Sequence, residues 1–122
     1  MYDLFIKTHF AAAHKLRGYK GACEHLHGHN WRIDVVVQRA ELDELGMVCD
    51  FHEIKDITAK ALAELDHHYL NEKPPFDTIN PTSENIARII YEKLTDLLPE
   101  GVSPKSVTAW ESENCGVCYH GQ

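Results

Sequence analysis

Residues 30–39, Asn-Trp-Arg-Ile-Asp-Val-Val-Val-Gln-Arg, constrain this chain more than any other stretch. Trp31, Ile33, Val35 and Val37 alternate with Arg32, Asp34 and Gln38. A strand, whose side chains repeat every two residues, puts the first set on one face and the second on the other. Its apolar face has to be covered by another layer. His27 and His29 share the apolar parity, so the core-facing row runs on into imidazoles at its rim. Fold and chemistry meet along one row of side chains.

Other segments supply the covering layer. Tyr2 to Ala13 predicts a long strand with Tyr2, Leu4, Ile6 and Phe10 on one face, and His14 keeps that parity if the strand stays regular. Residues 41–46 carry turn chemistry, and Met47-Val48 is expected as a short returning strand. Asp50 opens a first helix with Glu53 as its capping-box partner. Its stripe of Phe51, Ile54, Ala61, Leu62 and Leu65 suggests about four turns, roughly 22 Å at a rise of about 1.5 Å per residue. That helix is expected to end in Asp66-His67-His68, before Pro74-Pro75. Thr82 or Ser83 caps a second helix buried through Ile86, Ile90, Leu94, Leu97 and Leu98. Residues 106–112 form another strand, with Glu111 on the parity of Val107 and Ala109, and Val117 to Tyr119 adds a last short one. The order predicts a single domain over residues 1–122: an α+β fold, an antiparallel four-stranded sheet with two helices on one face. Phe5 and Val36 make the other face apolar in places, which points to association with further copies.

Composition narrows the function. A net charge of -7 argues against a nucleic-acid partner and means that an anionic ligand needs a local basic patch. No apolar run approaches the ~20 residues needed to cross a bilayer, and Met1-Tyr2-Asp3-Leu4 lacks a basic flank, so a cytoplasmic protein with no membrane partner is expected. Reduced thiols are then expected for its four cysteines. Cys115 and Cys118 have the spacing of half a zinc site or a redox pair, without a second half.

The stretch Cys23-Glu-His25-Leu-His27-Gly-His29 places one thiol and three imidazoles at odd positions, where a strand turns them to the same side. Cys and His bind zinc, and a catalytic zinc keeps three protein ligands and one open position. His14 can supply a third ligand. Lys15, Arg17 and Lys20 follow His14 with no acid among them, a place to receive a phosphate-bearing substrate or simply a solvated loop. Asp66 beside His67 can form a proton relay. Glu111, a carboxylate on an apolar face, is costly unless paired, which makes it a rim residue or a ligand anchor.

Five motifs together, Phe10-Ala-Ala-Ala-His14, Cys23-x3-His27-Gly-His29, Leu65-Asp-His-His68, Pro81-Thr-Ser-Glu84 and Trp110-Glu111, resemble the 6-pyruvoyltetrahydropterin synthase family over nearly the whole chain. Three residues between Cys23 and His27 look most like its bacterial branch, which makes 6-carboxytetrahydropterin for queuosine (7-deazaguanine) biosynthesis. The resemblance implies a tunnelling fold whose trimers join their sheets into a barrel, with two trimers in a homohexamer and active sites between subunits. It implies that His14, His27 and His29 bind Zn2+, that Cys23 is the catalytic thiol, and that Asp66 and His67 form the relay, reaching the site from the neighbouring subunit. Glu111 would anchor the pterin, with Thr82 and Ser83 lining the pocket.

The implied substrate is 7,8-dihydroneopterin triphosphate, which gives Lys15 and Arg17 a purpose. The implied reaction is carbon–carbon cleavage to 6-carboxy-5,6,7,8-tetrahydropterin, acetaldehyde and triphosphate. Elimination of triphosphate to 6-pyruvoyltetrahydropterin is the alternative within the family. A non-catalytic pterin-binding or structural zinc module is a third reading, of a different class.

Overall fold

A computed structural model of the 122-residue chain describes residues 1–18 and 25–122. Two long strands, β1 (Tyr2–His14) and β2 (His27–Arg39), pair antiparallel without a break from Tyr2↔Arg39 to His14↔His27. Helix α1 (Phe51–Leu62), strand β3 (His68–Tyr69), helix α2 (Ser83–Leu97), and strands β4 (Ser103–Trp110) and β5 (Gly116–Tyr119) follow. The sheet order is β3-β1-β2-β4-β5.

The core lies between the sheet and the two helices. Leu4, Ile6, Phe10 and Ala12 of β1 meet Trp31, Ile33, Val35 and Val37 of β2 on that side. From α1 come Ile54, Ile57 and Ala61; from α2 come Ile86, Ile90 and Leu94. Large side chains excluded from water to this degree each contribute about 1.5–3 kcal/mol. The predicted alternation of β2 is thus the floor of the core. On the sheet's other face Phe5 pairs directly with Val36 and stays exposed.

Several details depart from the sequence-based expectation. The sheet has five strands among the described residues, not four. The added strand is β3, which runs parallel to β1 with Ala12↔His68 and Ala13↔Tyr69 in register. It forms because α1 is shorter than its apolar stripe suggests: 12 residues, about 18 Å. Beyond Leu62 the backbone tightens, with the Leu65 and Asp66 N–H groups both donating to the Leu62 carbonyl. The chain then turns back onto the free edge of β1. Asp50 caps α1 by accepting from the His52 N–H at 2.7 Å. Glu53 does not complete a capping box; its carboxylate takes the Cys49 thiol at 3.6 Å. Met47-Val48 is not a strand, because the Asp43 carboxylate gathers the Leu45 and Met47 N–H groups into a turn. Thr82 caps α2 through the Asn85 N–H, as predicted.

Candidate metal centre

The register of β1 and β2 assembles the histidines. His14 and His27 are cross-strand partners at the end of the ladder, and His29 pairs with Ala12 one step inward on the same face. Directly opposed side chains have Cβ atoms roughly 4.5–5.5 Å apart. The ring centroids are 4.5 Å apart for His14–His27, 4.6 Å for His27–His29 and 5.4 Å for His14–His29. Trp31 closes the bottom of the cluster, edge-on to His14 at 5.1 Å and to His29 at 5.6 Å.

Two of the rings are oriented by backbone carbonyls. His14 Nδ1 lies 2.8 Å from the Pro81 carbonyl, and His27 Nδ1 lies 2.6 Å from the His25 carbonyl. A carbonyl can only accept, so each Nδ1 carries the proton and each Nε2 keeps its lone pair. Outer contacts of this kind set the tautomer of metal-binding histidines. Burial is the main influence holding the His14 and His29 rings below their usual 6.5, which favours the neutral, ligating form. For His14 the Pro81 contact opposes the shift; for His29 the main opposing influence is the Glu111 charge.

Glu111 completes the cluster. The β2–β4 ladder pairs Ile33 with Ala109 and Arg32 with Trp110, so the residue that follows β4 falls level with Trp31 on the core face. Glu111 Oε1 lies 2.9 Å from His29 Nε2 and 3.9 Å from both His14 Nε2 and His27 Nε2. Its Oε2 accepts from Ser83 Oγ at 3.5 Å. Ligand atoms of His14, His27, His29 and Glu111 all fall within 4.8 Å of one another. His14 Nε2 is buried without a hydrogen-bond partner, while His29 Nε2, equally buried, faces the Glu111 carboxylate oxygen. Such an orphaned acceptor is costly unless something fills the space beside it. Three imidazoles and a carboxylate make a donor set that suits a divalent transition metal. These four residues can hold a metal ion.

The other predicted residues are distributed differently. Cys23 and Lys20 lie outside the described residues. Asp66 and His67 sit at the β1 edge, beside a cleft of about 480 Å³ lined in part by Ala11, Ala13, Gly28 and Asn30. In both long strands these four have the parity of the outer face, opposite to that of the histidine cluster. Asp66 Oδ1 accepts the Ala11 N–H at 3.0 Å and lies 3.0 Å from His67 Nδ1; the His67 N–H donates to the Ala11 carbonyl at 2.6 Å. The Ala11 contact is the main cause holding the Asp66 carboxyl below its usual 3.8. His67 has a φ of 60°, a left-handed conformation uncommon for a residue with a Cβ and frequent at functional sites. Asp66 and His67 thus meet each other at the β1 edge, beside a cleft whose lining is mostly of outer-face parity and also includes Ala12 and His29.

Arg17 is engaged elsewhere. Its guanidinium donates to the carbonyls of Phe76 at 2.6 Å, Asn71 at 3.3 Å and Ile79 at 3.3 Å. Two asparagines close the same seam. Asn71 accepts from the Lys15 N–H and donates to the Lys15 carbonyl, both at 2.9 Å, and Asn80 does the same for Arg17. This zipper anchors the segment that carries the Pro81 carbonyl to the end of β1, and so to His14. Asn71, Asn80 and Pro81 support the cluster structurally and were not marked by the sequence, since no local pattern picks out an asparagine whose partner lies over 50 residues away. Lys15 projects from an exposed position. Thr82 Oγ1 is used as the helix cap. Cys115 and Cys118 are exposed free thiols, and neither belongs to a group of three or more possible metal ligands among the described residues. Among those residues, no helix is long and apolar enough to cross a membrane.

Comparison with known proteins adds a family context. The family described as 6-pyruvoyl tetrahydropterin synthase matches residues 3–122. The chain is 38% identical over 101 residues to a 6-carboxy-5,6,7,8-tetrahydropterin synthase from Synechocystis sp., covering 79% of this chain and 77% of that one. It is 36% identical over 114 residues, 93% of each chain, to a dihydroneopterin monophosphate aldolase from Pyrococcus furiosus. Among solved structures, the 6-pyruvoyl tetrahydropterin synthase of Caenorhabditis elegans superposes with a TM-score of 0.89 at 30% identity, covering 99% of this chain and 96% of that one.

Proposed function

This chain belongs to the 6-pyruvoyl tetrahydropterin synthase family, and on that premise we propose that it is a zinc-dependent carbon–carbon lyase. Its substrates are 7,8-dihydroneopterin triphosphate and one water, which supplies the second carboxyl oxygen, and its products are 6-carboxy-5,6,7,8-tetrahydropterin, acetaldehyde and triphosphate, in queuosine (7-deazaguanine) biosynthesis. The observation that carries the reading is the cluster of three imidazoles with the Glu111 carboxylate beside them, the buried His14 Nε2 being orphaned. His14, His27 and His29 would hold the zinc, which when bound supplies a Lewis acid able to lower the pKa of a substrate hydroxyl.

The remaining work belongs to the chain's own groups. Cys23 removes a proton from the substrate side chain as thiolate, a form favoured near a metal or a cation. His67 passes protons to and from the substrate, with Asp66 fixing its ring. Glu111 receives two parallel N–H bonds from the amino-pyrimidinone edge, the bidentate arrangement that gives carboxylates their specificity. Ser83 supports that carboxylate, Thr82 shapes the adjoining wall, and exposed Lys15 meets the phosphates. Arg17, its guanidinium already holding three carbonyls, builds the wall behind them.

Asp66 and His67 meet at the β1 edge, and the histidine cluster lies on the core face. We therefore assign each complete site to two subunits, one giving the metal cluster and its neighbour the relay. Exposed Phe5 on the outer face supports a homo-oligomer, a trimer or a homohexamer of joined sheets. The cytoplasm is the compartment consistent with the substrate.

One observation favours a second reading. With Arg17 engaged, Lys15 is the remaining candidate phosphate contact that the described residues present, and the relative from Pyrococcus furiosus is named for a monophosphate. That reading has a phosphorylated dihydroneopterin cleaved to a hydroxymethylpterin and a phosphorylated two-carbon aldehyde. Zinc-loaded protein incubated with the triphosphate and the monophosphate separates the cases. Acetaldehyde with the carboxypterin supports the lyase. A hydroxymethylpterin selects the second reading, pyruvoyltetrahydropterin selects elimination, and no turnover of either substrate by the assembled protein leaves only a binding module.

A further inference from the structure

Glu111 is asked to be in two places. To anchor a pterin, its carboxylate has to present both oxygens to the ring edge. Here Oε1 instead lies among the three Nε2 atoms, at 2.9, 3.9 and 3.9 Å. Four ligands around a tetrahedral zinc, with bonds of about 2.0–2.1 Å, stand about 3.3–3.4 Å from one another. The observed separations straddle that value. The oxygen therefore sits where a fourth ligand belongs, and no open coordination position is left beside it.

The surroundings allow the carboxylate to be drawn away. Among the described residues its second oxygen is held by Ser83 Oγ alone, at 3.5 Å, a long bond from the first residue of α2. Glu111 itself follows the last residue of β4, beyond the last β2–β4 pair; its backbone N–H is held by the Cys115 carbonyl at 3.1 Å, so the part free to swing is its side chain. The side chain is 28% exposed, which leaves one side of it open to an incoming molecule. His27 and His29 are about as exposed, but the backbones of all three histidines are paired in the β1–β2 ladder, and the His14 and His27 rings are each held by a carbonyl. Of the four possible ligands, Glu111 is the one built to leave.

We propose that Glu111 is the fourth ligand of the resting metal centre and that the bound pterin draws it off, so that the open position appears only with substrate in place. The proposal rests on the reading of the site as a zinc centre that processes a pterin. Its consequence is that a carboxylate, and not solvent, fills the fourth position between turnovers. Recognition of the ring and opening of the metal become one event.

The test uses the full-length assembled protein loaded with zinc or with cobalt, whose visible spectrum reports coordination. Glu111→Gln keeps the shape and removes the charge. It is expected to lower zinc affinity by about tenfold or more, a loss like those seen when ligand environments are damaged, and to change the cobalt spectrum. In the wild type, saturation with unphosphorylated 7,8-dihydroneopterin should shift the cobalt spectrum toward that of the variant. Glu111→Asp, checked for unchanged thermal unfolding without metal, should fall between the two if Glu111→Gln folds poorly. Unchanged zinc affinity with an unchanged spectrum in the variant overturns the ligand role. A wild-type spectrum indifferent to pterin, with binding confirmed by calorimetry, overturns the displacement. Failure of the pterin to bind at all defeats the functional reading and the displacement together, and weakened zinc binding in the variant would then mark a closed four-ligand site.

Discussion

The two ends of the predicted catalytic constellation are built in opposite ways. The histidine cluster lies on the core face, in an uninterrupted antiparallel ladder, with His14 only 1% exposed and fixed by the Pro81 carbonyl. The Asp66–His67 pair lies at a sheet edge, its imidazole 81% exposed and its backbone in a left-handed turn. The first region resists rearrangement because moving it would break the core. The second is held by the Ala11 N–H and carbonyl, and is open to whatever packs against the sheet. A ligand set needs rigidity, whereas a group that exchanges protons with a substrate needs access. One chain supplies both, but does not bring them together.

The contrast can be broken from the rigid side first. His14→Ala should abolish zinc binding by elemental analysis. It should also cost on the order of 2–4 kcal/mol in denaturant unfolding of the metal-free protein, because it leaves a cavity and an unpaired buried carbonyl. His27→Ala should lose zinc as fully with a much smaller stability loss, since that ring is partly exposed. Zinc content equal to wild type in either variant refutes that residue as a ligand.

On the exposed side, His67→Ala should keep its zinc and its melting temperature but lose about 10²–10⁴-fold in turnover. Co-assembling His14→Ala with His67→Ala subunits should restore part of that activity, because some mixed sites combine an intact metal cluster with a neighbour's intact relay. Mixtures that stay inactive would place the relay and the metal in the same chain. Cys23→Ala is expected to keep zinc and lose most turnover; loss of zinc would recast Cys23 as a ligand.

The asparagine–arginine seam sharpens the comparison at smaller magnitude. Asn71→Ala removes both bonds to the Lys15 backbone and should cost about 1–3 kcal/mol in denaturant unfolding. Arg17→Ala frees three carbonyls and should weaken zinc binding more than it raises KM for the phosphorylated substrate. A rise in KM with zinc affinity intact would return Arg17 to the phosphates.

The smallest effect is one of pH. Asp66 has its folded pKa below the usual 3.8, so on acidification the unfolded chain takes up this proton first. Its contribution to stability is present above about pH 4 and disappears as the pH falls through the folded value. Unfolding of wild type and Asp66→Asn, compared between pH 7 and pH 3, should show a gap that narrows only at the acidic end.

Much of the site was legible from parity alone. His14, His27 and His29 each continue an apolar row, and Glu111 continues the row of Val107 and Ala109, so a two-residue period was enough to place all four on the core face. The turn after α1 was not legible, because the apolar stripe runs through Leu65 while the helix stops at Leu62. Helical spacing records which side chains are buried, not whether the backbone reaching them is helical. Arg17 was read as a phosphate contact for a similar reason. Its three carbonyl partners are 54 to 62 residues away in the chain, beyond any local pattern.

What the sequence determined by itself was the α+β layering and the candidate ligand types, since each follows from local periodicity or from residues a few positions apart; the family entered through the resemblance of five motifs spread along the chain. What the tertiary structure alone decided was which groups share a site. The β1–β2 register made His14 and His27 partners, and the β2–β4 register brought Glu111 in among them. The return of the chain to the β1 edge set Asp66 and His67 against each other there. Those are non-local pairings, set by how whole strands align when the core closes.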